Sequence, residues 1–317
     1  MTREEALRQF AKKQEHRLEE FRLEFKNRWE TSLNEYADRI YQVLKSLELQ
    51  AEEGKEITYI YFTFLRCDLL EQNYRVMVQA MGKDWYRDQL PLTTYMPVEF
   101  LFEGINNLWD LMLDEIRPYQ GKIAACDVNH IICSLILECG KNMAAVMREL
   151  CWNLEEDKSF RKMMDTLQWS IFWGEYRGDT ELICHGDYRK KMKKDWEDAF
   201  LQTGKNPDCL VYSYWYRIHL KETCCVEKEL FHITFQDCVL DKVDFSRSNL
   251  SGACFRNCEI RNCSFSKADL IKAKFIDCKW EQAVFEEADT RFTVFSKEGI
   301  PVWEFSETQL EHMLLAE

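Results

Sequence analysis

Between residues 235 and 292 every fifth residue is large and apolar: Phe235, Leu240, Phe245, Leu250, Phe255, Ile260, Phe265, Leu270, Phe275, Trp280 and Phe285. Two places before each stands a small or thin residue: Cys238, Val243, Ser248, Ala253, Cys258, Cys263, Ala268, Ala273, Cys278 and Ala283. A period of five is neither the 3.6 of an amphipathic helix nor the 2.0 of a sheet strand. Such a repeat predicts a stacked architecture in which each unit buries its apolar face against its neighbours. A longer period of twenty runs through it: Phe235, Phe255 and Phe275 form one column, Phe245, Phe265 and Phe285 another, and Cys238, Cys258 and Cys278 a third. Four fives therefore make one square coil, with a large residue pointing inward from each side and like stacked on like.

The pattern resembles the A-(D/N)-L-x-x motif of the pentapeptide-repeat family, with its best copies at Ala268-Asp269-Leu270 and Ser248-Asn249-Leu250 and a partial one at Ala288-Asp289. The resemblance covers about a fifth of the chain. It implies a right-handed quadrilateral β-helix of about three coils over 235–292, with Cys238, Cys258, Cys263, Ala268, Ala273 and Cys278 as the small inward ladder. The family is best known for DNA mimicry directed at type II topoisomerases, by members shaped as long acidic rods. Here ten acidic residues stand against nine basic ones over 235–292, and three coils span roughly 14 Å at the strand spacing. A short, nearly neutral solenoid fits a non-enzymatic interaction or scaffold protein with an unidentified protein partner. A topoisomerase-directed DNA mimic and an unrecognised enzyme in the helical part are the alternatives.

The whole chain is expected to be α+β: a mainly helical domain over 1–208, a bridge and cap over 209–234, the β-helix over 235–292 and a C-terminal cap over 293–317. Residues 1 to about 53 hold no Gly or Pro, and Phe21, Phe25, Trp29, Leu33, Tyr36, Ile40, Val43 and Leu47 make one helical stripe. Thr2 and Glu5 form a capping box, and Gly54 ends the helix. The thinner first turns read as a solvated lead-in or as a coiled-coil arm, which makes a homodimer a possible assembly. The β-branched and aromatic stretch 57–66 reads as a strand and 74–81 as a second, with a helix over 65–81 as the alternative. Further helices are expected between Pro97 and Pro118, from the N-cap Asp127 to Trp152, over 158–177 and over 187–203, stopped by Gly204 and Pro207. After Phe292 the fives are read as failing. Trp303, Leu310, Met313 and Leu314, on a tail with a Ser306–Gln309 capping box, are expected to cover the last coil.

The net charge of −13 argues against nonspecific nucleic-acid binding. The charged start has no apolar h-region and no stretch approaches eighteen uninterrupted apolar residues, so neither a signal peptide nor a membrane span is expected. Fourteen cysteines without a Cys-x-x-Cys pair read as reduced thiols of a cytoplasmic protein. No cofactor, metal or catalytic residue is expected. His185-Gly186-Asp187 resembles a phosphotransferase motif, but Met192 stands where that motif has a magnesium-binding Asn. Cys224 and Cys225 near His219 and His232 read as small packing residues, and the basic run Arg189 to Lys194 as a solvated helix face.

Overall fold

The computed structural model describes residues 1–51, 55–119, 121–151, 154, 157–164, 167–296 and 305–316. The chain divides into two units, Met1–His185 and Gly186–Glu317.

In the first unit the single helix expected over 1–53 is two, α1 (Arg3–Thr31) and α2 (Leu33–Gln50). The Thr31 hydroxyl donates to the carbonyls of Asn27 and Arg28, a local bond that competes with the helical ladder and coincides with the break at Ser32. The capping box is present: Glu5 N donates to Thr2 Oγ1 at 3.1 Å and Thr2 N to Glu5 Oε2 at 2.6 Å. Gly54 lies outside the described residues. The α1 stripe is buried within this unit, Phe10 against Tyr119 and Phe25 against Phe102, so those side chains are already engaged intramolecularly.

The helices cover a five-stranded sheet, larger than the two strands expected. Strands β1 (Tyr59–Phe64), β2 (Arg75–Met81), β3 (Leu92–Pro97), β4 (Gln168–Glu175) and β5 (Thr180–Asp187) lie in the order β3-β2-β1-β4-β5, with β1 and β4 parallel. The alternative helix over 65–81 shrinks to α3 (Arg66–Leu70). The helix expected over 158–177 is α6 (Lys158–Met163) followed by strand β4. There Ile171 pairs with Ile60 and Trp173 with Phe62, so burial in the sheet overrides the helical spacing. The helix expected over 187–203 begins only at Lys193, because Asp187 ends β5.

Helix α4 (Ile105–Asp114) precedes α5 (Ala125–Cys151), which starts before the expected cap Asp127. The Asp127 carboxylate instead accepts from Ala124 N within the first turn and pairs with Arg3 at 2.8 Å. Trp152 lies outside the described residues. Gly140 sets α5 close on the sheet: a Cβ there would stand 3.1 Å from the Phe64 ring. By length and composition α5 is apolar enough to cross a membrane. Its apolar stripe, from Val128 through Ile132, Ile136 and Met143 to Met147, is buried in this unit.

The second unit opens with α7 (Lys193–Gln202), followed by the square solenoid. Six strands form one side, β6 (Tyr214–Tyr216), β8 (Thr234–Gln236), β10 (Cys254–Arg256), β12 (Lys274–Ile276), β14 (Val294–Ser296) and β15 (Leu314–Ala316). Four form the next, β7 (His219–Lys221), β9 (Val239–Asp241), β11 (Glu259–Arg261) and β13 (Lys279–Glu281). Single bridges such as Asp244↔Ser264 and Asn249↔Asp269 join the other two sides. Every pairing is offset by twenty residues, as in Phe235↔Phe255. Six strands in sequence make about five coils where three were expected, and the additions lie at both ends. Residues 209–234 are a coil of their own rather than a bridge, with Trp215 paired to Phe235 and Leu220 to Leu240. The fives also persist past Phe292: Phe295 and Phe305 are in the core and Leu315 pairs with Phe295. The tail therefore adds a strand after the short α8 (Glu307–Leu310) instead of lying across the end as a helix. Trp303 lies outside the described residues.

Candidate functional site

The candidate surface is the outside of this solenoid, and the inside holds it flat. Phe235, Leu240, Phe245, Leu250, Phe255, Ile260, Phe265, Leu270 and Phe285 are fully buried, and Phe275 nearly so. Trp280 is half-buried, its ring 5.1 Å from Phe275 and 5.6 Å from Phe285. The Phe columns stack coil on coil: Phe255 lies 5.3 Å from Phe235 and 4.7 Å from Phe275, both nearly parallel. Adjacent columns meet edge to face, as Phe255 and Phe265 do at 5.9 Å and 87°. Both geometries suit the ring quadrupole.

The small ladder also contributes hydrogen bonds. Cys238 Sγ lies 3.2 Å from the Trp215 carbonyl, Cys258 Sγ 3.2 Å from that of Phe235, and Cys278 Sγ 3.3 Å from that of Phe255. Thr293 uses its hydroxyl in the same way toward Leu270 O at 2.8 Å. Each donor thus reaches the carbonyl of the large residue twenty-three places earlier. Cys263 makes the same bond to Leu240 O, and Ala268 and Ala273 are buried in the same ladder. Burial pushes the Cys263 thiol up to about 11 and Cys225 to about 12, and Cys238 and Cys258 well above the ordinary thiol value. All fourteen cysteines are free thiols.

Two devices turn the corners. From Tyr212 to Phe292 every fifth residue is left-handed, with φ between +49° and +59° at all but Gly252, where it is +68°. Before the corners, short acceptors hold the turn: Asp244 Oδ1 accepts from Ser246 N, Asn249 Oδ1 from Ser251 N and Asp269 Oδ1 from Ile271 N. The Asp/Asn of the motif is therefore a turn-former. Outward charges pair across coils, Glu222 with Lys242 at 3.3 Å, Glu227 with Arg247 at 2.9 Å and Lys267 with Glu287 at 3.5 Å. Such exposed pairs add little stability, but they neutralise the corners.

The first coil is closed by α7. Trp196 is buried 4.9 Å from the Trp215 ring and 5.9 Å from Phe235. Before α7, Asp187 is a structural anchor, paired with Arg189 at 2.6 Å and Lys191 at 3.0 Å. Lys191 also donates to the Tyr214 carbonyl and lies 5.0 Å over the Trp215 ring. Burial opposes ionisation of Asp187, but its two cationic partners outweigh it and hold the carboxyl down at about 2. These contacts account for the His-Gly-Asp stretch and for part of the basic run. Cys224 is exposed while its neighbour Cys225 points into the core, so the pair does not converge on one point.

A family model described as a pentapeptide repeat region matches residues 212–285. Residues 212–285 are a pentapeptide repeat region. That span begins at the coil the fives from Leu210 announce and includes Trp215, Leu220 and Leu230, core residues outside the 235–292 reading. The signal for them was present, since the large residue recurs at 210, 215, 220 and 230; Cys225 in their midst is small and hides it. Among solved structures, full-length QnrB1, a plasmid-mediated fluoroquinolone resistance protein, is similar at 21% identity and TM-score 0.25, over 26% of this chain and 42% of that one. A pentapeptide repeat protein from the Arabidopsis thaliana thylakoid lumen is similar at 14% identity and TM-score 0.26, over 32% and 70%. Rfr23 from the cyanobacterium Cyanothece 51142 is similar at 13% identity and TM-score 0.24, over 38% and 96%. This chain spans about two fifths of the length of QnrB1. No curated protein matches it.

Proposed function

We propose that this is a non-enzymatic interaction protein whose pentapeptide-repeat walls dock a protein partner, in the reducing setting of the cytoplasm. The observation that carries this reading is the outward wall formed by Asp244, Ser246, Ser264 and Ser266. It is small-sided and flat, with Ser246 and Ser264 hydroxyls 2.9 Å apart across coils. Single bridges such as Asp244↔Ser264 keep it in coil register, and a regular stacked wall of this kind suits recognition of another macromolecular surface. The DNA-mimic alternative ranks lower because acidic and basic residues alternate along the corners through the Glu222–Lys242, Glu227–Arg247 and Lys267–Glu287 pairs.

The test is a photo-crosslinking residue at Ser266 in the full chain, with adducts identified by mass spectrometry. A discrete protein adduct that disappears when Ser246→Arg is added supports the proposal. No adduct from this wall, or one indifferent to Ser246→Arg, overturns it. Inhibition of supercoiling at submicromolar protein would instead favour the DNA mimic.

A further inference from the structure

The first unit carries an exposed aromatic group on one face of its sheet. The loop between β2 and β3 presents Trp85 and Tyr86, 46% and 38% exposed, with ring centroids 4.6 Å apart. Tyr176, at the turn after β4, stands 6.4 Å from Tyr86. Beneath them Tyr61 stacks on Phe172 at 4.7 Å and accepts a hydrogen bond from Trp85 Nε1 at 2.8 Å. This floor lies on the sheet face opposite Ile60, Phe62 and Phe64.

The group is held in place. Asp88 ties its loop at both ends, accepting from Gly82 N at 2.8 Å and Leu90 N at 3.0 Å. Outside the solenoid the described non-glycine residues with positive φ are Gln72, Trp85 and Arg177. Two of the three belong to this patch, and strained backbone of this kind concentrates where a surface is shaped for binding.

Its charge is unanswered. In the same unit Arg3, Arg22, Arg66, Arg75 and Arg148 each hold a carboxylate. Among the described residues, Arg177 and Arg87 form no ion pair in this structure. Arg177 lies 5.3 Å over the Tyr176 ring and acts on the Tyr86 phenol. Rigid Trp and Tyr beside a guanidinium are the side chains that dominate protein-binding energetics. Rigid aromatic side chains at a surface are what the preformed polyproline II helix docks against.

We propose that Trp85, Tyr86, Tyr176 and Arg177 form a docking site for an extended, proline-rich segment of a partner protein that carries a carboxylate beside its prolines. The site belongs to the first unit and the wall to the second, so either surface can fail its test alone.

The probe is a fluorescein-labelled dodecapeptide with two Pro-x-x-Pro turns and one glutamate, titrated with the full chain and followed by anisotropy. Its counterparts carry lysine for the glutamate, or serine for the prolines. Saturable binding of the glutamate peptide is expected, at least about tenfold weaker for both counterparts and for Trp85→Ala and Tyr86→Ala. Arg177→Glu, an exposed change that leaves the rings in place, should reverse the preference to the lysine peptide. No saturable binding, or binding unchanged in Arg177→Glu and Tyr86→Ala, overturns the proposal. Tighter binding of a twelve-nucleotide single strand, lost in Trp85→Ala, would overturn it in favour of nucleic acid.

Discussion

The His232 ring lies directly over the bare backbone of Gly252, one coil further on, and stacks on its other face against Tyr212 at 5.1 Å and 4°. A Cβ on Gly252 would stand 2.5 Å from the imidazole. Neighbouring corners tolerate side chains in the same left-handed conformation, as Lys242 and Asn257 do at +55° and +49°. The ring, rather than φ alone, makes glycine the residue required here.

Gly252→Ala should therefore destabilise the solenoid by about 1–3 kcal/mol. The double variant with His232→Ala should recover most of that loss. Urea unfolding of the four combinations measures the coupling, and simple additivity would show that the ring contact is unimportant.

Phe255 is sandwiched between Phe235 and Phe275. Truncation to Ala should cost about 3–5 kcal/mol, since stacked coils on both sides limit collapse around the void. Denaturant midpoints of the parent and the variant give the value.

Trp196→Ala should also cost about 3–5 kcal/mol and uncover the first coil. A fragment starting at residue 186 is expected to be soluble and cooperatively folded, and one starting at 209, without α7, to aggregate because an apolar end and strand edges are open. Size-exclusion chromatography and circular dichroism of the two fragments decide this, and equal behaviour would remove α7 from the fold's requirements.

Asp187 has its carboxyl depressed to about 2. Its contribution is therefore full above the ordinary carboxylate range and is lost as pH falls from about 4 through 2. The sign follows from the unfolded chain taking up the proton first, and the size is about 2 kcal/mol. Asp187→Asn should flatten this part of the pH–stability curve, measured by denaturant titration at pH 5 and pH 2.5.

Native thiol labelling should separate the cysteines. Cys67, Cys126 and Cys224 are exposed and should react quickly. Cys238, Cys258 and Cys278 should react only on unfolding, because burial raises the pKa of the first two well above the ordinary thiol value and all three are enclosed. Fast modification of Cys258 in folded protein would contradict the inward ladder.

The period of five is set by the sequence because every side of every coil meets the same constraint: one large residue inward, one small residue two places earlier, and a left-handed corner. Local spacing alone therefore yields the square cross-section, the twenty-residue stacking and the buried Phe columns. The number of coils was less legible, since the ends substitute Cys225 for a large residue and interrupt the small ladder while keeping the register. In the first unit the tertiary structure decided more. Residues 168–175 have helical spacing and strand chemistry at once, and pairing with β1 selects the strand. The thiol bonds to carbonyls twenty-three residues earlier, the seating of Trp196 on Trp215 and the meeting of Trp85, Tyr86 and Tyr176 join distant stretches. Sequence periodicity records which face a residue takes within its own element; which distant side chain it meets there is settled only when the elements pack.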